Sequence, residues 1–160
     1  MIYKIKIALL LSIFLIALSC GFKPIYQTDN NNLNTKNFTI NFLTNPSYEI
    51  KSTIDGMFSS SLQSVPYLID LNIIETQTPL IINTNGTVSK YRIEILFHFI
   101  VHEVESNKNI YEDIVRGFAE YIVQTSEYET EEKKRQMLKS AAQEAIRLML
   151  TKIQGNIARD

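Results

Sequence analysis

The sequence predicts an α+β fold, a two-layer sandwich of about four strands, including a long antiparallel hairpin, with two helices on one face. Residues 88–104 alternate apolar and polar side chains over a long run, as a half-buried strand does. Residues 50–65 and 138–153 instead repeat apolar side chains at steps of three and four, the pattern of amphipathic helices. We assign all of these elements to a single domain over residues 38–160.

A first strand and a first helix are predicted at the start of this domain. Residues 38–43 alternate and are rich in strand formers. Asn45 then suits a helix N-cap and Pro46 the first helical position, while Pro66 ends the helix because the residue before a proline avoids helical geometry. The predicted buried stripe of this helix consists of Ile50, Ile54, Met57, Phe58, Ser61, Leu62 and Val65.

A second strand is predicted over residues 67–75, followed by a long turn over residues 76–87 that contains Pro79 and Asn85-Gly86. The apolar triplet 80–82 lies in this turn. It either contacts lipid or a partner or extends an edge strand, and the extension is the commoner case.

The clearest strand covers residues 88–104, and residues 110–125 return as another long strand after a connection at 105–109. Each spans roughly 50 Å if fully extended. The predicted core face of the first of these strands is Tyr91, Ile93, Ile95, Phe97, Phe99 and Val101.

A long C-terminal helix is predicted over about 127–154. Ser126 and Glu129 form a capping box at its start, and Gly155 is the expected stop. The small residues Ala141, Ala142 and Ala145 allow a close approach of this helix to the sheet.

The second face of the predicted sheet carries a mixture of charged and apolar side chains. With helices on one side only, so much apolar surface on the other side favours a partner that covers it. The alternative is a partly exposed sheet with scattered apolar residues. The face on residues 88–104 comprises Val88, Lys90, Arg92, Glu94, Leu96, His98, Ile100, His102 and Val104.

The first 19 residues have the pattern of a signal peptide: Lys4 and Lys6 precede a nearly continuous apolar run at 7–18. This run is shorter than the roughly 20 residues of a spanning helix, which is the alternative interpretation. Residues 17–20, Ala-Leu-Ser-Cys, resemble the bacterial lipobox, so Cys20 is the expected site of covalent lipid attachment. A chance cysteine near an ordinary cleavage site is the other possibility. Residues 20–37 are then the lipidated cysteine and a polar, Asn-rich tether.

Charge and motif content exclude several functional classes. The leader contains two lysines and no acidic residue, so 14 basic and 17 acidic residues remain after its removal, and no nucleic-acid partner is expected. A single cysteine excludes an internal disulfide framework. His98 and His102 lie about 13 Å apart on a strand, too far to share one metal ion by themselves. With no phosphate loop, nucleophile elbow or zinc motif, we expect no enzyme activity and no cofactor beyond the covalent lipid.

Residues 20–26, Cys-Gly-Phe-Lys-Pro-Ile-Tyr, the order of two helices and four strands, and the segment 121–153 resemble the LptE family of lipopolysaccharide-assembly lipoproteins in its alphaproteobacterial form. This resemblance implies a non-enzymatic lipoprotein on the periplasmic side of the outer membrane. It would plug the LptD β-barrel, assist barrel assembly and contribute to lipopolysaccharide delivery to the cell surface. Gly21 after the cysteine, by resemblance to Gram-negative lipoproteins, also favours the outer membrane.

Contact with lipopolysaccharide requires positive side chains to match its phosphates and carboxylates, and the candidates are Lys90, Arg92 and Arg116. Each is also an ordinary solvated strand charge in the alternative interpretation. The competing functional class is another periplasm-facing lipoprotein, an accessory module of lipid transport or of a secretion system.

Overall fold

A four-stranded sheet backed by two helices makes up the part of the chain that the structure, a computed structural model, describes: residues 35–58 and 65–157. Both helices contribute buried residues to the same core, which confirms the predicted α+β class. The elements, after a 3-10 turn at Thr35–Asn37, are β1 (Phe38–Phe42), α1 (Tyr48–Met57), β2 (Tyr67–Ile82), β3 (Val88–Glu103), β4 (Lys108–Ile122) and α2 (Glu127–Ile157).

The strands lie in the sheet in chain order. β1 pairs in parallel with the first part of β2, and α1 connects the two. β2 and β4 each pair antiparallel with β3, so two long hairpins share β3 as their middle strand. The predicted hairpin of β3 and β4 is therefore confirmed, and a second hairpin of similar length accompanies it.

The core lies between the sheet and the helices. On β3 every second side chain from Ile93 to Val101 is buried, as the alternation predicts, whereas Tyr91 is only partly buried. Ile50 and Ile54 of α1 and Ile146, Met149 and Ile153 of α2 complete this core from the other layer.

The N-terminus of α1 differs from the prediction. The helix begins at Tyr48, after an N-cap at Ser47, and not at Pro46 after Asn45. The chain first follows the edge of β2: Thr44 Oγ1 accepts a hydrogen bond from the Ile73 N–H at 2.9 Å, and the Ser47 N–H donates to Glu75 Oε1 at 2.7 Å. These contacts hold the connection extended until Ser47. The described helix ends at Met57, well before Pro66; the predicted stripe residues Ser61 and Leu62 lie outside the described residues.

The predicted long turn at 76–87 is also wrong, because β2 continues through residues 76–82 in register with β3, with a bulge after Pro79. Pro79 does not interrupt this pairing, since proline is tolerated where its nitrogen faces the free edge of a sheet. The turn is confined to residues 83–87, where the Asn83 N–H donates to the Thr87 carbonyl at 2.8 Å and Gly86 has a φ of +83°. The apolar triplet 80–82 is thus part of an edge strand, the more common of its two interpretations.

The helix α2 starts as predicted, with the Glu129 N–H donating to Ser126 Oγ at 3.3 Å, but it continues through Gly155 to Ile157. Ile153 is fully buried and Ile157 packs against the core, so burial outweighs the roughly 1 kcal/mol cost of a helical glycine.

The C-terminal part of α2 is attached to β4 by a polar cluster. Lys152 Nζ lies 2.6 Å from Asp113 Oδ2, and the Tyr111 hydroxyl donates to the same oxygen at 2.7 Å. These two hydrogen bonds lower the pKa of Asp113 to about 2. Burial and the neighbouring Asp113 raise the pKa of Tyr111.

The middle of α2 approaches β4 unusually closely. Gly117 faces Ala141 and Ala145, both fully buried, and a Cβ atom added at Gly117 would overlap the Ala141 carbonyl oxygen and lie 2.8 Å from the Ala145 nitrogen. Backbone atoms of a helix cannot move away independently, so this contact fixes the distance between the two layers.

We therefore expect Gly117→Ala to destabilise the fold by about 3 kcal/mol, because overpacking against backbone forces the helix and sheet apart. Urea unfolding of the purified protein measures this. Gly155→Ala is the matched control, since nothing lies within 4 Å of its added Cβ and alanine favours the helix. Equal stability of the Gly117 variant and the wild type would contradict the close contact.

Candidate partner-docking face

The side of the sheet opposite the helices is uncovered in the described residues. We call it the open face. It carries the even-numbered side chains of β3 and β4, together with those of β2 up to Ile74 that pair beside them. These side chains are half-buried or exposed, in contrast to their odd-numbered neighbours on β3.

Ionisable side chains on the open face contact each other between β3 and β4 along one diagonal. Each β3 residue contacts the β4 residue two positions before its register partner, because strand twist brings diagonal neighbours together. The pairs are Lys90 with Glu120 at 2.5 Å, Glu94 with Arg116 at 3.0 Å, and His98 with Glu112 at 2.7 Å.

A second polar link joins three strands at the other side of the open face. Asp70 of β2 lies 3.0 Å from His102 Nε2 through one carboxylate oxygen and accepts a hydrogen bond from Asn41 Nδ2 at 2.7 Å through the other. His98 and His102 therefore serve separate carboxylates. Within residues 35–58 and 65–157 no three metal-ligating side chains form a group that would hold an ion.

The three predicted lipopolysaccharide contacts all lie on the open face, and each already has a carboxylate partner. Lys90 and Arg92 converge on Glu120, whose pKa is lowered by the hydrogen bonds from Lys90 and from Arg92. Arg116 instead contacts Glu94. An anionic ligand therefore competes with these carboxylates for the three cations.

Sequence reasoning did not identify Glu94 and Glu120 as partners of these cations. The length of the connection between β3 and β4, four residues, could have identified them. It sets the register of the hairpin, and in that register both glutamates lie across from the cations. Register depends on the turn and cannot be read from the alternation of either strand alone.

Apolar side chains occupy every fourth position of β4 and point to the open face. We call this set the apolar ladder; its members are between 38% and 58% exposed. Leu96 and Ile100 of β3 add half-buried apolar surface beside it, and Ile74 of β2 is also exposed. The ladder consists of Ile110, Ile114, Phe118 and Ile122.

This combination of an exposed apolar ladder and internally neutralised charges is typical of a surface that packs against another macromolecule. A solvent-open groove of about 700 Å³ on the helical layer is lined by Met57, Ser140, Gln143, Glu144 and Arg147. Its lining contains no nucleophile and base in contact with each other.

The signal-peptide segment, Cys20 and nearly all of the predicted tether lie outside the described residues, so lipid attachment at Cys20 stays a prediction. Of the helices in the described part of the chain, none is long and apolar enough to span a bilayer.

The fold is similar to those of several solved bacterial proteins. A candidate lipoprotein from Caulobacter crescentus CB15 aligns with a TM-score of 0.62 at 11% identity, over 78% of this chain and 92% of that one. Rare lipoprotein B from Shewanella oneidensis aligns with a TM-score of 0.50 at 10% identity, over 74% and 96% of the two chains. For an uncharacterised lipoprotein B from Nitrosomonas europaea the TM-score is 0.52 at 13% identity, over 71% and 78%.

No protein-family model matches this sequence, and no curated protein matches it at the sequence level. At identities of 10% to 13% the structural likeness establishes a shared fold. This chain therefore has the fold seen in these proteins, and its own residues must carry the functional argument.

Proposed function

We propose that this chain is a non-enzymatic, lipid-anchored protein of the LptE type on the periplasmic side of the outer membrane. It docks through the open face into the LptD β-barrel, plugs the barrel lumen, assists barrel assembly and contributes to lipopolysaccharide delivery. The observation that carries this proposal is the exposed apolar ladder on a helix-free sheet face whose charges are already paired.

The dimensions of the open face suit a stable protein interface. β3 and β4, each about 48 Å long, and about 26 Å of β2 up to Ile74, at about 4.8 Å spacing, give a flat area of roughly 590 Å². A standard interface buries about 800 Å² on each partner. Paired charges lower the cost of covering this surface, since no isolated cation or carboxylate has to lose its water.

The lipid anchor is supported by the lipobox-like residues 17–20 and by the names of the three solved structures with the same fold, all of which are called lipoproteins. Several acyl chains on one cysteine hold a protein on a bilayer, because each buried methylene contributes about 0.8 kcal/mol.

Cys20→Ser should abolish fatty-acid incorporation and remove the protein from the outer-membrane fraction, because the sulfur is the attachment atom. Metabolic labelling with palmitate and membrane fractionation measure both effects. Ser19→Ala is the matched control, since it keeps a small residue beside an intact cysteine. Palmitate label that persists in the Cys20 variant would rule out this anchor.

Ile114→Asp should reduce co-purification of the barrel by tenfold or more, because an uncompensated carboxylate in a covered apolar surface costs about 2 kcal/mol or more. Mass spectrometry of the detergent-extracted complex measures the ratio of the two proteins, expected near one to one for the wild type.

Leu148→Asp provides the matched control for this experiment. Leu148 is 39% exposed on α2, similar to the 43% of Ile114, but it lies in the helical layer. Loss of the barrel in both variants, or in neither, would contradict docking through the open face. Recovery of a lipid-transport or secretion component in place of a barrel would favour the accessory-lipoprotein alternative.

Lipopolysaccharide contact by Lys90, Arg92 and Arg116 requires an exchange of partners, from Glu120 and Glu94 to phosphate. Changing all three cations to glutamine should weaken binding of purified lipopolysaccharide. Glu120→Gln should strengthen it by about two- to fivefold, because Lys90 and Arg92 lose the carboxylate that competes with phosphate, and exposed ion pairs are weak.

Binding to immobilised lipopolysaccharide at fixed ionic strength measures these changes. A matched triple variant on exposed positions of α2, Lys133→Gln, Lys139→Gln and Arg147→Gln, changes the net charge equally without touching the open face. Equal binding by the two triple variants would show that only net charge matters, and would remove these three residues as contacts.

A further inference from the structure

The outer edge of β4 is the longest sheet edge in the described residues without a neighbouring strand. Backbone groups of successive strand residues point alternately to the two sides. The odd-numbered residues of β4 bond toward β3, so the even-numbered residues direct their N–H and carbonyl groups outward. Unpaired N–H and carbonyl groups along a sheet edge readily form hydrogen bonds with another strand.

Side chains from α2 and from β4 itself occupy the centre of this row. Glu144 Oε2 accepts a hydrogen bond from the Phe118 N–H at 2.8 Å, and Lys152 Nζ donates to the Ile114 carbonyl at 3.2 Å. Asp113 Oδ1 accepts from the Ile114 N–H at 2.7 Å. Between these two blocked positions only the outward N–H and carbonyl groups of Arg116 remain, too few for a second strand to pair with.

The apolar ladder makes the same edge self-complementary. If two copies pair antiparallel with Arg116 opposite itself, Ile114 of one copy lies opposite Phe118 of the other. These two central ladder residues then contact apolar residues, because they are spaced symmetrically about Arg116. Ile110 lies at the register shift opposite Val101 and His102 and is left out of this pairing.

In this register charged residues of one copy lie opposite residues of the same charge in the other copy, which disfavours pairing of the two strands. Glu112 lies opposite Glu120, and Arg116 lies opposite itself. Glu120 and Arg116 already have oppositely charged partners on β3, which reduces the repulsion, and Glu112 contacts His98. Charge alone therefore protects this edge incompletely.

We propose that the outer edge of β4 is a latent self-pairing edge, centred on Arg116, and that Glu144 and Lys152 of α2 keep it closed to a second copy of this chain. This role is separate from docking through the open face, since it concerns backbone groups at an edge. Removal of the two α2 side chains exposes the Ile114 carbonyl and the Phe118 N–H on either side of Arg116, while Asp113 still accepts from the Ile114 N–H.

A disulfide trap tests the proposal and its register. In the full-length chain with Cys20→Ser, Arg116→Cys is the only thiol, and the predicted pairing brings the two copies' Cα atoms at this position to about 5.5 Å, within disulfide range. With Glu144→Ala and Lys152→Ala added, we expect about tenfold more disulfide-linked dimer on mild oxidation than without them, the effect of exposing one or two hydrogen-bond sites.

Two matched controls make the result specific. Glu132→Ala with Lys133→Ala removes the same charges from exposed positions of α2 and should leave dimer formation at the background level. Glu120→Cys in place of Arg116→Cys puts the two thiols eight residues apart in the proposed register, about 26 Å, and should give no linked dimer.

Equal dimer yields with and without Glu144 and Lys152 would overturn the proposal, as would cross-linking through Cys at 120 as readily as at 116. Circular dichroism confirms that each variant is folded. If the double variant is unfolded, Glu144→Ala alone decides, because it retains the bond between Lys152 and Asp113: a raised yield supports the proposal and an unchanged yield rejects it.

Discussion

The contact between Gly117 and the backbone of α2 is the constraint on which the rest of the structure depends. Because neither residue type at this contact has a long side chain, the helix lies directly on β4 and covers the core with a single layer. The same proximity brings Glu144 and Lys152 within hydrogen-bonding distance of the β4 backbone. A wider separation would leave both the core and the strand edge less protected.

The charged side chains of the open face pair with oppositely charged side chains on the neighbouring strand. Lys90 and Arg92 share Glu120, while Arg116 has Glu94. A protein partner covers such a face at a lower electrostatic cost than if these charges were unpaired, whereas an anionic lipid competes with the carboxylates. Docking and lipid contact therefore make different demands on the same three cations, and the experiments on each are independent.

Much of the fold followed from local patterns in the sequence. The alternation of β3, with residues such as Phe97 and Phe99 at successive inward positions, predicted a strand and its buried face, and the spacing of α2 predicted its core contacts. Errors occurred where a tertiary contact overrode a local signal. Gly155 was expected to end a helix that the burial of Ile153 extends, and Pro79 was expected in a turn although it lies on an edge strand.

The candidate site was only partly predictable for a similar reason. The cations and the mixed character of the open face could be identified residue by residue. Their pairing with Glu94 and Glu120 could not, because it depends on hairpin register and strand twist, both of which are properties of two strands together. The blocking of the β4 edge by α2 likewise depends on tertiary packing, which neither element reveals by itself.

The strand order also has a kinetic consequence. Since β2, β3 and β4 are neighbours in both sequence and sheet, two short loops suffice to form most of the sheet, and hairpin formation can start at each loop. The chain delivers α2 last. Until that helix docks, nascent β4 presents its unblocked backbone and the inner apolar surface together, so the interval between sheet formation and helix docking is the time at which this protein is most prone to aggregate.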